Sequence, residues 1–195
     1  MDSGEGTEPR RDAPVMIRKA TRADAHGIAR VHIDAWRTTY QGIVPERHLA
    51  ALSMEERVPR WERILITAGP EGERVCVAVD PTGGVVGFAS GGPERDGDPH
   101  YRGELYSMYI LAAHQRRGIG RRLVAEVTDH ILRTGFSTML VWALAANAGM
   151  RGFCEALGGV LLEPSKVVEI GGATLPEVAY GWSDLLPLIA EERAR

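Results

Sequence analysis

A loop of six residues, Gln115 to Gly120, separates an apolar segment from an amphipathic one and reads Gln-Arg-Arg-Gly-Ile-Gly. The flanking patterns predict a strand before the loop and a helix after it. Unpaired backbone N–H groups and the helix dipole attract phosphate at such a helix start. Gly118 would let a ligand approach the backbone closely. The neighbouring cations are Arg116, Arg117, Arg121 and Arg122. A tight turn with solvated arginines explains the loop equally well.

Two common phosphate-binding motifs do not fit this loop. A Walker loop ends in Gly-Lys-Ser or Gly-Lys-Thr, and a dinucleotide-binding fingerprint has a third glycine three residues after the second. Here Gly120 is followed by Arg121, Arg122 and Leu123. The loop therefore indicates neither a P-loop nucleotidase nor a dinucleotide-binding domain.

Apolar periodicity predicts that strands and helices alternate around this loop. Strands are expected near 15–18, 74–79, 85–90, 104–111 and 138–144. A final hairpin is expected to follow, with 160–162 and 167–170 as its first arm and 175–182 as its second. Helices are expected after the capping box of Thr21 and Asp24, after Ser53, after Gly120 and at 150–157. The order β, α, α, β, β, β, α, β, α, β, β predicts an α/β fold with a partly antiparallel sheet.

The length of 195 residues, with 44% hydrophobic side chains, fits a single buried core. We expect one domain over residues 15–184. Residues 1–14 are rich in charged residues, Gly and Pro, which predicts a disordered tail. Residues 185–195 are expected to form a C-terminal tail or a short helix.

The charge and cysteine content exclude several classes of function. The formal net charge of -3 and the lack of a long basic run disfavour nucleic acid and membranes as partners. Cys76 and Cys154 lie far apart without a second cluster of ligands, so neither a disulfide scaffold nor a metal site is predicted. No apolar run is long enough to span a bilayer, and we expect a cytoplasmic protein. A homodimer is compatible with the sequence, which does not decide the oligomeric state.

Several segments in the same order resemble the GNAT superfamily of N-acetyltransferases, here an unassigned bacterial branch. The loop is similar to the family's Gln/Arg-x-x-Gly-x-Gly/Ala signature, and residues 104–110 resemble its fourth strand. Asn147 with residues 153–158 resembles its Asn…Phe-Tyr-Glu-x-Leu-Gly segment. Residues 17–21 and 35–40 are similar too, so the resemblance covers about residues 16 to 183.

The resemblance implies a mixed, mostly antiparallel central sheet whose fourth and fifth strands splay apart, flanked by helices. The implied acyl donor is acetyl-coenzyme A, with no metal. Its pyrophosphate would lie on the loop, and its pantetheine arm would lie between the splayed strands, often beside a bulge. The implied cofactor-binding residues are Met108, Tyr109, Ile110, Gln115, Arg116, Arg117, Gly118, Ile119, Gly120, Arg121, Asn147 and Phe153. Strand packing and a helix cap are alternative roles for Met108 to Ile110 and for Asn147.

Three residues are candidates for catalysis by the same resemblance. Glu104 matches the general base of the histone-acetylating branch, although a solvated carboxylate or a substrate-binding acid fits equally. Cys154 replaces the tyrosine that usually protonates the departing thiolate, and a role as acyl-carrying nucleophile is disfavoured because no histidine lies in its segment. Tyr106 shares the strand-face parity of Glu104 and is a substitute acid unless a bulge changes that parity.

The implied acceptor pocket lies between the first two helices and the final hairpin, with Trp36, Tyr40 and the segment near Leu175 as lining. These aromatic side chains could equally belong to the core. The sequence predicts acetyl transfer to a primary amine of a small molecule or peptide. A non-catalytic acyl-coenzyme A sensor and a protein lysine or N-terminal acetyltransferase remain the alternatives.

Overall fold

The computed structural model describes residues 14–69 and 72–193, which form seven strands and six α-helices. The strands are β1 Met16–Lys19, β2 Arg74–Val79, β3 Val85–Pro93, β4 Gly103–Ile110, β5 Met139–Leu144, β6 Val160–Ile170 and β7 Ala173–Trp182. The helices are α1 Ala25–Thr39, α2 Glu46–Ala51, α3 Met54–Thr67, α4 Ile119–Arg133, α5 Ala148–Ala156 and α6 Leu186–Arg193. The predicted disordered tail, residues 1–14, lies almost wholly outside the described residues.

The seven strands form one sheet in the order β1-β2-β3-β4-β5-β7-β6. Every neighbouring pair is antiparallel except β4 and β5, which are parallel. The prediction of a mixed, mostly antiparallel sheet is confirmed. The predicted order of elements missed α2, which has only six residues and is too short to show a helical period.

Strands β4 and β5 separate soon after they meet. Their pairing is limited to Gly103 with Met139 and Glu104 with Leu140, although both strands continue. The register of β4 against β3 shifts beside Gly91, where Tyr106 is the extra residue. A bulge bends its strand and increases the local twist, which turns β4 away from β5. The predicted splaying of the fourth and fifth strands is therefore present.

Helices cover both faces of the sheet. Helix α4 packs through Leu123, Val127 and Ile131 against a core that includes Leu105 and Val141. Helices α1 and α3 pack against the opposite face, where Ile28, Val31 and Trp61 contact Phe88. The ends of the splayed strands are thus held from both sides. No described helix is long and apolar enough to cross a membrane.

An ion pair fixes the start of α1 to the first strand. The Asp24 carboxylate accepts two hydrogen bonds from the Arg18 guanidinium, both at 2.7 Å. It also accepts bonds from the backbone N–H and the hydroxyl of Thr21, at 2.7 and 2.9 Å. These donors hold the pKa of the buried Asp24 carboxyl below its usual value, the Arg18 bond contributing most.

We predict that Asp24→Asn destabilises the protein by about 1–3 kcal/mol at neutral pH, because charge-assisted bonds are lost. Since folding lowers the pKa of Asp24, its contribution is complete above the unfolded pKa of about 4 and is lost as pH falls through the folded pKa. Denaturant unfolding at a series of pH values should show the difference from wild type shrinking below about pH 4.

Asp34→Asn is the control for this prediction. Asp34 makes only a long, exposed contact with Arg30, at 3.9 Å. Its replacement should change the stability by less than about 0.5 kcal/mol. Equal losses in the two variants, or a loss at Asp24 that does not depend on pH, would contradict the assignment.

Candidate active site

The glycine loop forms the entrance to α4. Gly118 lies immediately before the helix with a left-handed backbone, φ 77°, and Arg116 also has a positive φ of 61°. Few residues other than glycine adopt this conformation without strain. The first N–H groups of α4 therefore face outward at the end of the loop, in the arrangement that binds anions at helix starts.

The four arginines near this helix start have different environments. Arg116 and Arg117 are exposed, whereas Arg121 and Arg122 are partly buried. The Arg122 guanidinium donates to the Val15 carbonyl at 2.8 Å, which joins α4 to the N-terminal segment. Arg116 and Arg117 are therefore the accessible cations of the loop, as a phosphate site requires.

A cleft of about 360 Å³ opens beside this loop. Its lining includes Thr38 and Ile43 from the first helical region, Ala112 and Gln115 from the loop, and Asn147. The Asn147 side chain accepts from the Met150 N–H at 3.0 Å, so it caps α5 as well as lining the cleft. The alternative role as a helix cap is present and does not exclude contact with a ligand.

Gln115 and Phe153 support the cleft by packing. The Gln115 amide donates to the Ile110 carbonyl at 3.0 Å, which ties the loop to the end of β4. A Cβ at Gly120 would lie 3.2 Å from the Phe153 ring, so this glycine allows the ring to contact the helix start. The buried Ile119 belongs to the core, and only its backbone could contact a cofactor.

The side chains of residues 108–110 alternate across the sheet. Met108 and Ile110 pack against the core below α4, and Tyr109 packs against Phe88 and His32 on the other face. Beyond Glu104, the edge of β4 that faces β5 has no strand partner in residues 14–69 and 72–193. Backbone groups in such an edge require another partner, which a cofactor lying between the strands would supply.

Glu104 lies at the point where the two strands meet and is 3% exposed. The Arg95 guanidinium donates to both of its carboxylate oxygens, and the Arg95 backbone N–H adds a bond of 3.3 Å. The Glu104 bond also raises the pKa of Arg95. Glu104 is thus an ion-paired carboxylate and not a solvated one, and its oxygens are largely occupied.

Tyr106 contacts the same arginine through the face of its ring. The Arg95 Cζ lies 3.9 Å from the ring centroid, so Tyr106 lies on the same side of the sheet as Glu104. The Tyr106 hydroxyl donates to the Pro93 carbonyl at 2.5 Å, and burial raises its pKa to about 12. Because this hydroxyl already donates its proton to a backbone carbonyl, a role as substitute acid is disfavoured.

Cys154 lies in the core under the sheet. It is fully buried among residues that include Val141 and Leu157, and burial raises the pKa of its thiol to about 12. At neutral pH such a cysteine is a thiol and not a nucleophilic thiolate. Its position therefore argues against both an acyl-carrying role and proton donation to a ligand.

Aromatic side chains form a cluster between α1 and the end of β4. Trp36 of α1 and Tyr40, which directly follows that helix, lie edge to face at 5.0 Å, and the Tyr40 and Tyr109 hydroxyls are 3.4 Å apart. Leu175 packs against the same cluster, as does Leu144 of β5. The predicted acceptor-lining residues are therefore close together, beside the end of the splayed strands.

A second carboxylate, Glu177, was missed by the sequence analysis. It is paired with Leu144 in β5 and with Lys166 in β6, which places it on the sheet face of Glu104. Burial raises the pKa of Glu177, Lys166 lowers it, and Glu104 raises it further. Its only sequence signal was an acid within an otherwise apolar strand.

Lys166 and Arg95 were also missed because their roles depend on distant partners. The Lys166 amino group lies 4.0 Å from the Trp142 ring centroid and forms an ion pair of 2.8 Å with Asp96. The loop carrying Arg95 and Asp96 is therefore attached to both β4 and β6. Among the described residues, no group of three or more His, Cys, Asp or Glu side chains could hold a metal ion.

Comparison with known proteins decides the family. The profile of the acetyltransferase (GNAT) family matches residues 32–158, which include the loop, the splayed strands and most of the helices around them. The chain belongs to the GNAT family of acetyltransferases. This membership confirms the predicted fold class, the acetyl-transfer chemistry and the donor, acetyl-coenzyme A.

Two curated relatives extend the match in sequence. The N-acetyltransferase YuaI of Bacillus subtilis (strain 168) is 39% identical over 89% of this chain and 96% of its own. The L-methionine sulfoximine/L-methionine sulfone acetyltransferase of Salmonella typhimurium is 28% identical over 74% of this chain and 79% of its own.

Two solved structures share the fold over nearly their whole length. The ribosomal-protein-alanine N-acetyltransferase of Brucella melitensis is 28% identical, with a TM-score of 0.65 over 86% of this chain and 98% of its own. The yncA protein of Salmonella typhimurium, solved with its cofactor acetyl-CoA, has a TM-score of 0.64 at 23% identity, over 89% of this chain and 95% of its own.

We predict that Gly118→Ala weakens acetyl-coenzyme A binding by at least about tenfold, because the left-handed backbone that orients the helix start becomes strained. Isothermal titration calorimetry would measure the dissociation constant. The added Cβ meets no other atom within 4 Å, so the effect would come from the backbone and not from a steric clash.

Gly135→Ala is a matched control for Gly118→Ala. Gly135 also has a positive φ, 90°, and an open Cβ position, but it follows the far end of α4. The two variants should lose similar stability, about 1–2 kcal/mol, and only Gly118→Ala should lose affinity. An unchanged dissociation constant in Gly118→Ala would remove the loop from the cofactor site.

Proposed function

We propose that this GNAT protein transfers the acetyl group of acetyl-coenzyme A to a primary amine of a small molecule or peptide. The separation of β4 and β5 beyond Glu104 is the observation that carries the proposal. On one side of the opening lie the glycine loop and the cleft, and on the other lie carboxylates and aromatic side chains. Donor and acceptor can therefore meet at the unpaired edge of β4.

The donor side would hold the cofactor mainly through backbone groups. The N–H groups at the start of α4 and the exposed Arg116 and Arg117 would bind the pyrophosphate. The free edge of β4 and the region of Asn147 would bind the pantetheine arm. Acetyl-coenzyme A supplies the thioester that the acceptor amine attacks directly. A β4 backbone N–H at this edge would donate a hydrogen bond to the thioester carbonyl oxygen and stabilise the negative charge that develops on it.

The attack needs a neutral amine, and a carboxylate on the acceptor face would take its proton. An amine with a pKa of about 10.4 costs roughly 4.6 kcal/mol to deprotonate at pH 7. Glu104 remains a candidate base, but Arg95 occupies both of its oxygens. Glu177 has no such partner among the described residues, and its raised pKa makes it a better proton acceptor. This difference supports Glu177 as the base.

The departing thiol would leave without a protein acid. Cys154 is buried, and the Tyr106 hydroxyl is bound to a carbonyl, so neither is placed to donate a proton. Coenzyme A has a thiol with a pKa near that of cysteine, about 8.5. Its thiolate is a tolerable leaving group at neutral pH, and water would protonate it.

A small amine acceptor is supported by the Salmonella typhimurium relative that is named for amino-acid derivatives. A protein N-terminus is the second candidate, because the Brucella melitensis protein with the same fold is named for ribosomal-protein alanine. Both relatives are 28% identical, so identity does not decide between these acceptors.

The direct test is an acceptor panel. The purified chain would be mixed with acetyl-coenzyme A and with amino acids, their amides, polyamines and peptides, and thiol release would be followed with a chromogenic reagent. We expect turnover with at least one amine, at a rate above hydrolysis, and a product that carries one acetyl group by mass. Cofactor binding without release for any acceptor would favour the alternative of an acyl-coenzyme A sensor.

We predict that Glu177→Gln lowers turnover by about 10²–10⁴-fold at neutral pH and leaves acetyl-coenzyme A affinity unchanged. The loss should shrink at high pH, where the acceptor amine is already neutral. Because folding raises the pKa of Glu177, the wild-type rate should fall as pH drops through a value above about 4.5. The pH profile of kcat/KM measures both effects.

Glu104→Gln is the informative comparison for this prediction. It disrupts the pair with Arg95, so its loss of rate should persist at high pH if Glu104 positions the site and does not take the proton. If the loss in Glu104→Gln is the one that recovers at high pH, Glu104 is the base and the assignment to Glu177 is wrong. An unaltered pH profile in both variants would leave proton transfer to water.

A further inference from the structure

Four side chains that can donate hydrogen bonds lie together at the acceptor end of the opening. We call them the donor cluster: Trp36 of α1, Tyr40 directly after that helix, Arg57 of α3 and Tyr109 of β4. Trp36 contacts Tyr40 at 5.0 Å between ring centroids, and the Arg57 Cζ lies 5.8 Å from the Trp36 ring centroid. Arg57 is also close enough to Tyr109 to influence its pKa.

The indole N–H of Trp36 is buried and has no hydrogen-bond partner among the described residues. It lies near enough to the Tyr109 hydroxyl to lower the pKa of that group, but outside hydrogen-bonding geometry. A buried donor without a partner is unfavourable, and native proteins retain few of them. At the acceptor end of a binding site, such a donor indicates an oxygen atom that a ligand brings.

The two tyrosine hydroxyls give a similar indication. Tyr40 and Tyr109 are 3.4 Å apart, long for a hydrogen bond between hydroxyl groups. Burial raises the pKa of Tyr109 well above its usual value, so this hydroxyl remains protonated and can donate. An oxygen placed between the two hydroxyls could accept shorter bonds than the tyrosines make with each other.

Arg57 contributes a positive charge that forms no ion pair with a carboxylate of the described residues. Its half-buried side chain makes no hydrogen bond or ion pair within residues 14–69 and 72–193. Burial, then Arg60, lowers the pKa of Arg57, while Tyr109 and Glu56 raise it only partly. The Trp36 ring lies at the outer range of a cation–π contact and offers no lone pair to the guanidinium.

His32 does not supply the missing acceptor. It stacks on Tyr109 at 5.1 Å between centroids, and its Nδ1 already accepts from the Trp61 indole at 3.2 Å. Burial lowers the pKa of His32 to about 3, so the ring is neutral. In the part of the chain that the structure describes, the cluster therefore combines a cation and several donors with no free acceptor beyond the tyrosine oxygens themselves.

We propose that the acceptor amine carries a carboxylate or another oxyanion, and that Arg57 with Trp36, Tyr40 and Tyr109 binds this group. The proposal rests on the proposed function and names its acceptor class. The oxyanion lies at the donor cluster, and the amino group lies toward the carboxylates Glu104 and Glu177. Polyamines lack an oxyanion and would be poor acceptors. An amino acid would be preferred to its amide or to the amine without the carboxylate.

Anion binding can be tested without any turnover. The indole N–H resonance of Trp36, assigned by its loss in Trp36→Phe, would be followed by NMR. Acetate and sulfate would be added as probes, with chloride used to keep the ionic strength constant. We expect a saturable shift of this resonance in the wild-type protein. In Arg57→Gln the apparent affinity should fall by at least about tenfold, since a charge-assisted bond is lost.

Arg63→Gln is the matched control, because Arg63 is exposed on the same helix and makes the same charge change. It should keep the wild-type affinity for both probes. Arg57→Lys keeps the positive charge and should bind the probes with an affinity between those of the wild type and Arg57→Gln. This result in a folded protein would show that the loss in Arg57→Gln does not come from misfolding. No saturable shift in the wild type, or equal affinities in the wild type and Arg57→Gln, would overturn the proposal.

A kinetic test separates this proposal from the proposed function. For an accepted amino acid, Arg57→Gln should raise KM by about tenfold or more and change kcat little, whereas KM for the corresponding amide should not change. Transfer that is equally efficient with acid and amide in both proteins would refute the oxyanion site and leave the acetyltransferase intact. Anion binding without any transfer would uphold the site and refute the enzyme.

Discussion

The short pairing between β4 and β5 determines the rest of the site. Two residue pairs join the strands, and the bulge at Tyr106 then turns β4 away while β5 continues along β7. Packing on both faces of the sheet maintains the opening, with α4 below β4 and α1 above it. The free backbone groups of β4 are costly to bury without a partner. A ligand in the opening, such as a pantetheine arm, would supply hydrogen-bond partners to these groups and so stabilise the fold.

The two sides of this opening differ in charge and in rigidity. The donor side offers helix N–H groups and exposed arginines, which suit any ligand with a pyrophosphate. The acceptor side has ionisable groups with different neighbours. Glu104 forms an ion pair with Arg95, whereas Lys166 acts on Glu177, and Glu56 on Arg57, without an ion pair among the described residues. Under the proposed function, specificity for the acceptor would depend on these few groups, and donor recognition would depend on the fold.

The sequence shows the glycine loop more clearly than the groups of the acceptor face for a physical reason. The loop of Gly118, the strand before it and the helix after it are contiguous, so local patterns reveal them. The bulge at Tyr106 depends on the register with β3, and Glu177 reaches the site only through pairing with β5. Arg57 likewise depends on how α3 packs on α1. Contacts between segments that are distant in the sequence leave almost no periodic pattern in it, so they are hard to predict.

The burial of Cys154 explains how the chain can lack the family's usual acid. Its side chain fills a position in the core, where a tyrosine would have to displace neighbours such as Val141. Overpacking of this kind is destabilising, so the cysteine is suited to the packing in this chain. The chemistry tolerates the change because a coenzyme A thiolate is stable enough to leave near neutral pH, whereas a lysine-like amine cannot attack before it loses its proton. The base, and not the acid, is therefore the proton-transfer group that the acceptor face must provide.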